Sequence, residues 1–214
     1  MDPRAAPTPP EAELWRLIDE RRAPGADRAR VDARIWERFG QTWAVMFTDL
    51  SGFSRMVAEF GIIHFLQEIR EQRRVFDPAV AAHGGLLLKE EADSMLLLFE
   101  SPAHALECAL AMQRRSVDVN RGRAPEDTVL LCVGIGYGPM LRVGDRDVFG
   151  QEVNAASKLG EDVARAGEVL VTAAFRAAVG ARPGIAFEPL ETSVAGATHA
   201  YRVTDAPSTG RSDA

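Results

Sequence analysis

Short apolar runs alternate with longer helical patterns along the chain. The run Trp43–Phe47 has the length and composition of a buried strand. Behind it, apolar residues recur at helical spacing until His83, where two glycines follow and end the pattern. Two further apolar runs, Leu86–Leu88 and Met95–Phe99, flank a polar turn and predict a β-hairpin.

The second half of the chain continues this alternation. The pattern predicts helices over residues 101–121, 151–165 and 173–179, strands over 129–137 and 168–172, a loop at 147–150, and strands again within 185–203. The order βαββαβ, followed by further α and β elements, predicts an α+β fold. We expect a ferredoxin-like βαββαβ core with extra C-terminal α/β elements and helices on one face of the sheet.

A different pattern precedes this domain. Residues 1 to about 10 are rich in Pro and Ala and predict no regular structure. Two short helices follow, one ending near Arg22 and one capped by Asp27 and ended by Gly40. Trp15 and Trp36 are interpreted as their packing anchors. The predicted division is an N-terminal extension over 1–41, a catalytic domain over 42–205 and a flexible tail over 206–214.

Composition excludes several classes of protein. The 214 residues are 46% hydrophobic and 26% charged, which is typical of a globular domain. The net charge of −6 argues against general nucleic-acid binding. No apolar run approaches the ~20 residues of a membrane span, and the N-terminus does not resemble a signal peptide. Cys108 and Cys132 lie in apolar stretches and are expected to be buried thiols. Together these features favour the cytoplasm.

Two aspartates are candidate metal ligands because of their positions at the ends of predicted strands. Asp49 ends the first apolar strand and Asp93 lies in the hairpin turn. If the hairpin pairs beside the first strand, the two carboxylates converge at one end of the sheet. Hard oxygen ligands of this kind suit Mg²⁺ or Mn²⁺ that also coordinates a substrate phosphate. The turn at 50–54 then offers backbone N–H groups to a triphosphate. Singly, each aspartate is better explained by a structural role, Asp49 as a helix cap and Asp93 as a turn residue; together with the motifs below, they favour the functional role.

Three segments carry a resemblance to a known family. Phe47–Ser54 (FTDLSGFS), Lys89–Asp93 (KEEAD) and Asp147–Lys158 (DVFGQEVNAASK) resemble, in order, three signatures of class III adenylyl and guanylyl cyclases. The likeness runs from about residue 43 to residue 203. It implies the cyclase fold, two divalent cations (Mg²⁺ or Mn²⁺), and a homodimer whose active sites lie at the interface. In such a dimer one subunit supplies the metal carboxylates and the partner supplies the base-reading and transition-state residues.

The resemblance also implies a role for each matching residue. It implies metal ligands at Asp49, Leu50 (through its carbonyl) and Asp93, and base-reading residues at Lys89 and Asp147. It also implies a ribose-orienting residue at Asn154 and a transition-state cation at Lys158. The phosphate contacts expected from the turn itself lie at Ser51, Gly52, Phe53 and Ser54. A lysine donor and a carboxylate acceptor suit adenine, whereas guanine-selective relatives usually carry Glu and Cys at these positions. ATP is therefore the expected substrate and cyclic AMP the expected product.

The sequence departs from the family at three places. Lys158 replaces the usual arginine, which predicts reduced activity or, alternatively, a degenerate domain that binds nucleotide or a partner and signals without turnover. Ala92 replaces a glycine, and the segment 138–147 is shorter than the family's hairpin, which bears on dimer affinity. A diguanylate cyclase shares the core, but the turn lacks its signature. The four histidines show no ligand spacing and are expected to be structural or surface residues.

Overall fold

A mixed sheet flanked by helices forms the body of the computed structural model, which describes residues 8–124, 127–191 and 199–205. Of the stretch 1 to about 10 predicted without regular structure, residues 1–7 lie outside the described residues, as does the predicted tail over 206–214, whereas α1 already begins at Pro9. The strands are β1 Gly40–Leu50, β2 Leu86–Glu91, β3 Ser94–Phe99, β4 Leu131–Val143, β5 Asp147–Phe149, β6 Val169–Thr172, β7 Ile185–Pro189 and β8 Ala200–Asp205. The helices are α1 Pro9–Arg22, α2 Arg28–Phe39, α3 Phe53–Phe60, α4 Ile62–Ala82, α5 Pro102–Asn120, α6 Gln151–Ser157, which continues into a π-helical segment Lys158–Val163, and α7 Ala173–Val179.

The strand order confirms the predicted core. Along the sheet the order is β2-β3-β1-β4-β6-β8-β7, and β5 pairs with β4. In the order β2, β3, β1 and β4, each strand is antiparallel to its neighbour, which is the ferredoxin-like arrangement of a βαββαβ unit. β6 joins β4 in parallel, and β7 and β8 complete the C-terminal extension.

One face of the sheet is covered by α4, α5 and α7. Alternate residues of β1 and β3, such as Met46 and Leu97, pack there against Phe76 of α4 and Met112 of α5. All four side chains are fully buried. Because side chains alternate across a strand, the residues between them point to the opposite face.

That opposite face is covered in part by α6, so the expectation that one face carries the helices is wrong. Val153 and Ala156 of α6 pack there against Val45 and Leu98. The approach is close because β4 has glycine at alternate positions: a Cβ at Gly134 would lie 2.2 Å from the Ala156 carbonyl oxygen. The bare backbone of β4 thus determines where α6 packs.

The N-terminal helices form a hairpin against the end of the sheet. Leu14 and Leu17 of α1 pack with Val31 and Ile35 of α2, and Val143 of β4 joins this cluster. The predicted cap is confirmed, because the Asp27 carboxylate accepts a hydrogen bond from the backbone N–H of Arg30.

The interpretation of the two tryptophans as packing anchors is wrong. Trp15 is 49% exposed and Trp36 is 47% exposed. The buried side of each helix is formed instead by leucine and branched aliphatic residues, among them those one position before each tryptophan. Ion pairs also join α1 and α2, including Arg38 with Glu13 at 3.0 Å.

Two segments are organised differently from the sequence prediction. The long helix after β1 is divided by Gly61, whose φ of 85° lies in the left-handed region, into α3 and α4. Residues 147–149, expected as a loop, form β5, because β4 extends to Val143 and the chain then turns back to pair β5 with β4.

Both cysteines are buried and free, as predicted. None of the described helices combines the length and apolar character that a membrane crossing requires.

Candidate active site

Asp49 and Asp93 meet at one end of the sheet. β1 pairs with β3 so that Thr48 lies opposite Met95, which brings the end of β1 beside the β2–β3 turn. The Ser94 hydroxyl donates a hydrogen bond to Asp49 Oδ1 at 3.2 Å, directly joining the two segments. The convergence expected from the sequence therefore follows from the strand register.

The two carboxyl groups are crowded and poorly solvated. Burial, and then the negative charge of Asp93, raise the pKa of Asp49 to about 7. Burial also raises the pKa of Asp93, opposed by backbone N–H groups of Asp93 and Leu50. Asp93 is only 6% exposed, and its Oδ2 is buried without a hydrogen-bond partner. A buried acceptor beside a second carboxylate fits a divalent cation that draws ligands from both.

The turn that carries Asp93 is supported from α4 and is strained. The Gln72 side-chain amide donates to the Asp93 carbonyl oxygen at 2.8 Å, and this contact is buried. Ala92 has a φ of 52°, a left-handed conformation that among the described non-glycine residues occurs only here. The family's glycine at this position would take this conformation without the steric cost of a Cβ, so Ala92 keeps the turn and bears the strain.

A small cleft beside the carboxylates holds the predicted base-reading residues. Lys89 and Asp147 both line it, and its volume is about 120 Å³. The Lys89 ammonium pairs with Glu91 at 2.6 Å, and this contact, with a smaller contribution from Asp147, raises the pKa of Lys89. Glu91 therefore competes for the cation that would read a base.

Glu161 also lines this cleft, and the sequence argument did not select it. It belongs to the π-helical segment after α6, and its charge contributes to the raised pKa of Asp49. Gly160 allows this placement because the segment lies against β1, where a Cβ on Gly160 would be 2.9 Å from the Phe47 carbonyl oxygen. No sequence motif marks an acidic residue three positions after Lys158, so only the packing of the structure identifies Glu161 as part of the cleft.

Asn154 and Lys158 lie on exposed positions of α6 and its π-helical continuation. Neither lines the cleft within this chain. The Lys158 side chain is 46% exposed, and its ammonium lies 4.0 Å from Asp162. Both side chains are thus accessible from outside the protomer.

The turn predicted to bind phosphate leads into α3, and one of its backbone N–H groups already donates within the protein. Gly52 has a φ of 91° and precedes the first turn of α3. The backbone N–H of Ser51 donates to the Leu130 carbonyl at 2.8 Å, so this N–H binds protein. The predictions for the side chains of Phe53 and Ser54 lie outside the described residues.

The antiparallel βαββαβ core, with a carboxylate pair at the end of β1 and in the β2–β3 turn, defines the class of nucleotidyl cyclase catalytic domains. Residues 37–200 match the family model described as the adenylate and guanylate cyclase catalytic domain. The chain belongs to that family.

Individual relatives agree with this assignment. An adenylate cyclase of Streptomyces coelicolor is 34% identical over 156 residues, covering 71% of this chain and 35% of that protein. The crystal structure of an adenylate/guanylate cyclase/hydrolase from Silicibacter pomeroyi superposes with a TM-score of 0.65 at 27% identity, covering 77% of this chain and 95% of that one. The adenylyl cyclase CyaB of P. aeruginosa shares the fold, with a TM-score of 0.63 at 19% identity over 79% of this chain and 97% of that one. The chain spans between 16% and 37% of the length of the curated relatives it matches.

Proposed function

We propose that this protein is an adenylate cyclase that converts ATP to 3′,5′-cyclic AMP and pyrophosphate, as a homodimer and with two divalent cations. The observation that carries the proposal is the pair Asp49 and Asp93, which is crowded, partly buried and includes an unpartnered carboxylate oxygen. Such a pair is unfavourable by itself and favourable around cations.

The proposed metal ligands are the two carboxylates and the Leu50 carbonyl oxygen. Bound there, Mg²⁺ or Mn²⁺ would supply Lewis-acid activation of the ribose 3′-hydroxyl and neutralise phosphate charge. The protein holds the ligands in place through the β1–β3 register and through the hydrogen bond from Gln72 to the Asp93 turn. The turn at 51–54 would hold the triphosphate at the start of α3.

Adenine recognition is assigned to Lys89 and Asp147. An ammonium donates to a ring-nitrogen acceptor such as adenine N1, and a carboxylate accepts from the exocyclic amino group. The two residues lie on the same small cleft, which supports a joint role. To read a base, Lys89 must exchange its contact with Glu91 for the nucleotide. Guanine presents the opposite pattern at these atoms, so the pair favours ATP over GTP.

The cleft is too small for a whole nucleotide, which supports a site completed by a second copy of the chain. Its volume of about 120 Å³ compares with the roughly 300 Å³ or more of a typical ligand pocket. Asn154 and Lys158 do not line this cleft and are exposed. In a symmetric dimer these residues would reach the partner's carboxylates, so that each chain contributes half of two sites.

The second candidate function, a domain that binds nucleotide without turnover, follows from Lys158. An ammonium keeps the positive charge but lacks the planar fork with which arginine binds two phosphate oxygens. We expect slower turnover than with arginine. If the loss were complete, the domain would bind nucleotide and signal by dimerising, without chemistry.

The test is product formation by the purified protein from ATP and, separately, from GTP, with Mn²⁺ and with Mg²⁺. We expect cyclic AMP from ATP, loss of product in Asp49→Asn, and unchanged product in the matched control Asp118→Asn, an exposed aspartate on α5. Metal-dependent ATP binding without any cyclic product would refute the enzyme and favour the regulatory alternative.

The role of Lys158 has its own expected outcome. Lys158→Arg should raise the turnover number by up to about 10²-fold, the lower end of what a preorganised donor contributes, with little change in KM. A turnover number equal to or below that of the wild type would contradict the assignment of this residue to the transition state.

A further inference from the structure

A second cluster of potential metal ligands lies on α4, away from the carboxylate pair. His64 and Glu68 are four residues apart, so they project from the same side of the helix. Asp127, from the segment before β4, faces them: its Oδ1 lies 3.8 Å from His64 Nε2. One donor atom from each residue lies within 4.8 Å of the others.

Glu68 is the member of this cluster that most favours a bound cation. It is only 8% exposed, and its Oε2 is buried without a hydrogen-bond partner. Burial, opposed by the nearby charge of Arg123, raises the pKa of this carboxyl. A buried carboxylate oxygen without a partner is costly to leave in that state. A carboxylate oxygen of Glu68 also lies within 4.8 Å of an imidazole nitrogen of His64 and a carboxylate oxygen of Asp127.

The neighbouring charges do not satisfy this oxygen. Arg123 is a nearby cation, but its terminal nitrogens contact Glu71 at 2.5 Å and the Asp127 carbonyl oxygen at 3.2 Å. Glu71 is also held by Arg74 at 2.7 Å, and these contacts lower its pKa to about 2. Glu71 is therefore saturated by arginine, whereas Glu68 and Asp127 remain as carboxylate donors.

We propose that His64, Glu68 and Asp127 form a binding site for a zinc-like divalent cation, distinct from the Mg²⁺ or Mn²⁺ site at Asp49 and Asp93. One imidazole nitrogen and two carboxylates are ligands that Zn²⁺ accepts and that Mg²⁺, which prefers oxygen and water, does not select. Metal–ligand bonds of about 2.1 Å in a tetrahedron place ligand atoms about 3.4 Å apart, so separations that reach up to 4.8 Å need to contract by up to about 1.4 Å. Three protein ligands leave a fourth position for water.

Such a cation would join two segments that are distant in the sequence. It would fix the first turns of α4 to the segment that enters β4. Gln72 lies one further turn along the same helix face and holds the Asp93 turn. Occupancy of this site therefore constrains the helix that supports the candidate active site.

Cobalt and zinc titrations of the full-length Asp49→Asn protein test this proposal, since that substitution weakens the other metal site. We expect one equivalent of Co²⁺ to bind with visible d–d absorption typical of a nitrogen-containing site, and to be displaced by Zn²⁺. At a hundredfold excess of free Zn²⁺ over its dissociation constant, the melting temperature should rise by roughly 5–10 °C. A tenfold excess of Mg²⁺ should not displace the cobalt.

Matched variants decide whether these residues are the ligands. His64→Ala, and independently the isosteric Glu68→Gln and Asp127→Asn, should each abolish the absorption and the thermal shift, whereas His104→Ala, an exposed histidine on α5, should leave both unchanged. Binding that survives in all three ligand variants, or the absence of cobalt binding in the folded parent protein, would overturn the site. Because the readout is metal binding, its failure is separate from any failure of cyclase activity.

Discussion

A methyl group added to Gly134 tests how the sheet positions α6. A Cβ at this position would lie 2.2 Å from the Ala156 carbonyl oxygen and 2.3 Å from the Gly160 nitrogen. Ordinary non-bonded contacts are about 3.5 Å, so the helix has to move by about 1 Å. Both obstacles are backbone atoms, and no change of rotamer relieves them.

The expected effect follows from that displacement. Overpacking of this kind costs about 1–3 kcal/mol, and the value for Gly134→Ala should lie near the upper end because the backbone must shift. Asn154 and Lys158 flank Ala156 on the displaced segment. If they complete the partner's active site, a movement of about 1 Å should lower kcat about 10²-fold.

Urea unfolding and the cyclase assay, run on the same preparations, measure the two effects. Gly138→Ala is the matched control, because it lies on the same strand and its Cβ would meet a side-chain atom, Glu152 Cγ, at 3.0 Å. We expect the control to lose less than about 1 kcal/mol. A Gly134→Ala protein as stable as the control would refute the packing argument. A destabilised protein with unchanged kcat would refute the link between this packing and the catalytic residues.

Three further outcomes follow from the geometry of the Asp93 turn. Ala92→Gly should stabilise the protein by about 1 kcal/mol in urea unfolding, since it removes a left-handed alanine. Gln72→Leu should destabilise it by about 1–3 kcal/mol, because the buried Asp93 carbonyl loses its donor. The pKa of Asp49 rises from 3.8 to about 7 on folding, so between these pH values the folded protein binds a proton that the unfolded chain has released. The unfolding free energy of the metal-free protein should therefore fall as the pH rises from about 4 to about 7. Asp49→Asn should flatten this dependence, and a wild-type stability that rises from about pH 4 to 7 in the presence of a chelator would contradict it.

Local patterns were sufficient to predict the core of the fold. β1, the β2–β3 hairpin and α7 were all predicted at or close to their observed positions, because each is defined by its own apolar spacing and flanking turn residues. The meeting of Asp49 and Asp93 needed only one further assumption, that the hairpin pairs beside β1. That assumption holds: β3 pairs with β1, and its apolar residues are buried in this register.

Long-range packing decided what the patterns left open. Gly134, Gly136 and Gly138 alternate along β4, a spacing that leaves one face of a strand without side chains and indicates that another backbone packs there. This signal was available in the sequence and would have placed α6 on the second face. No comparable signal marks Glu161, because its position depends on the extra residue of the π-helical turn.

Three unfavourable features of the chain lie where its proposed chemistry lies. The Asp93 turn has a left-handed alanine and a buried carboxylate oxygen without a partner, and beside it Asp49 of β1 has a pKa raised to about 7. None of these stabilises the fold, whose buried core between the sheet and helices α4 and α5 forms without them. A divalent cation would reverse the last two, because it supplies the missing partner and favours the ionised form of both carboxyls. The energetics of the metal-free turn thus argue for a cation at this position independently of any resemblance in sequence.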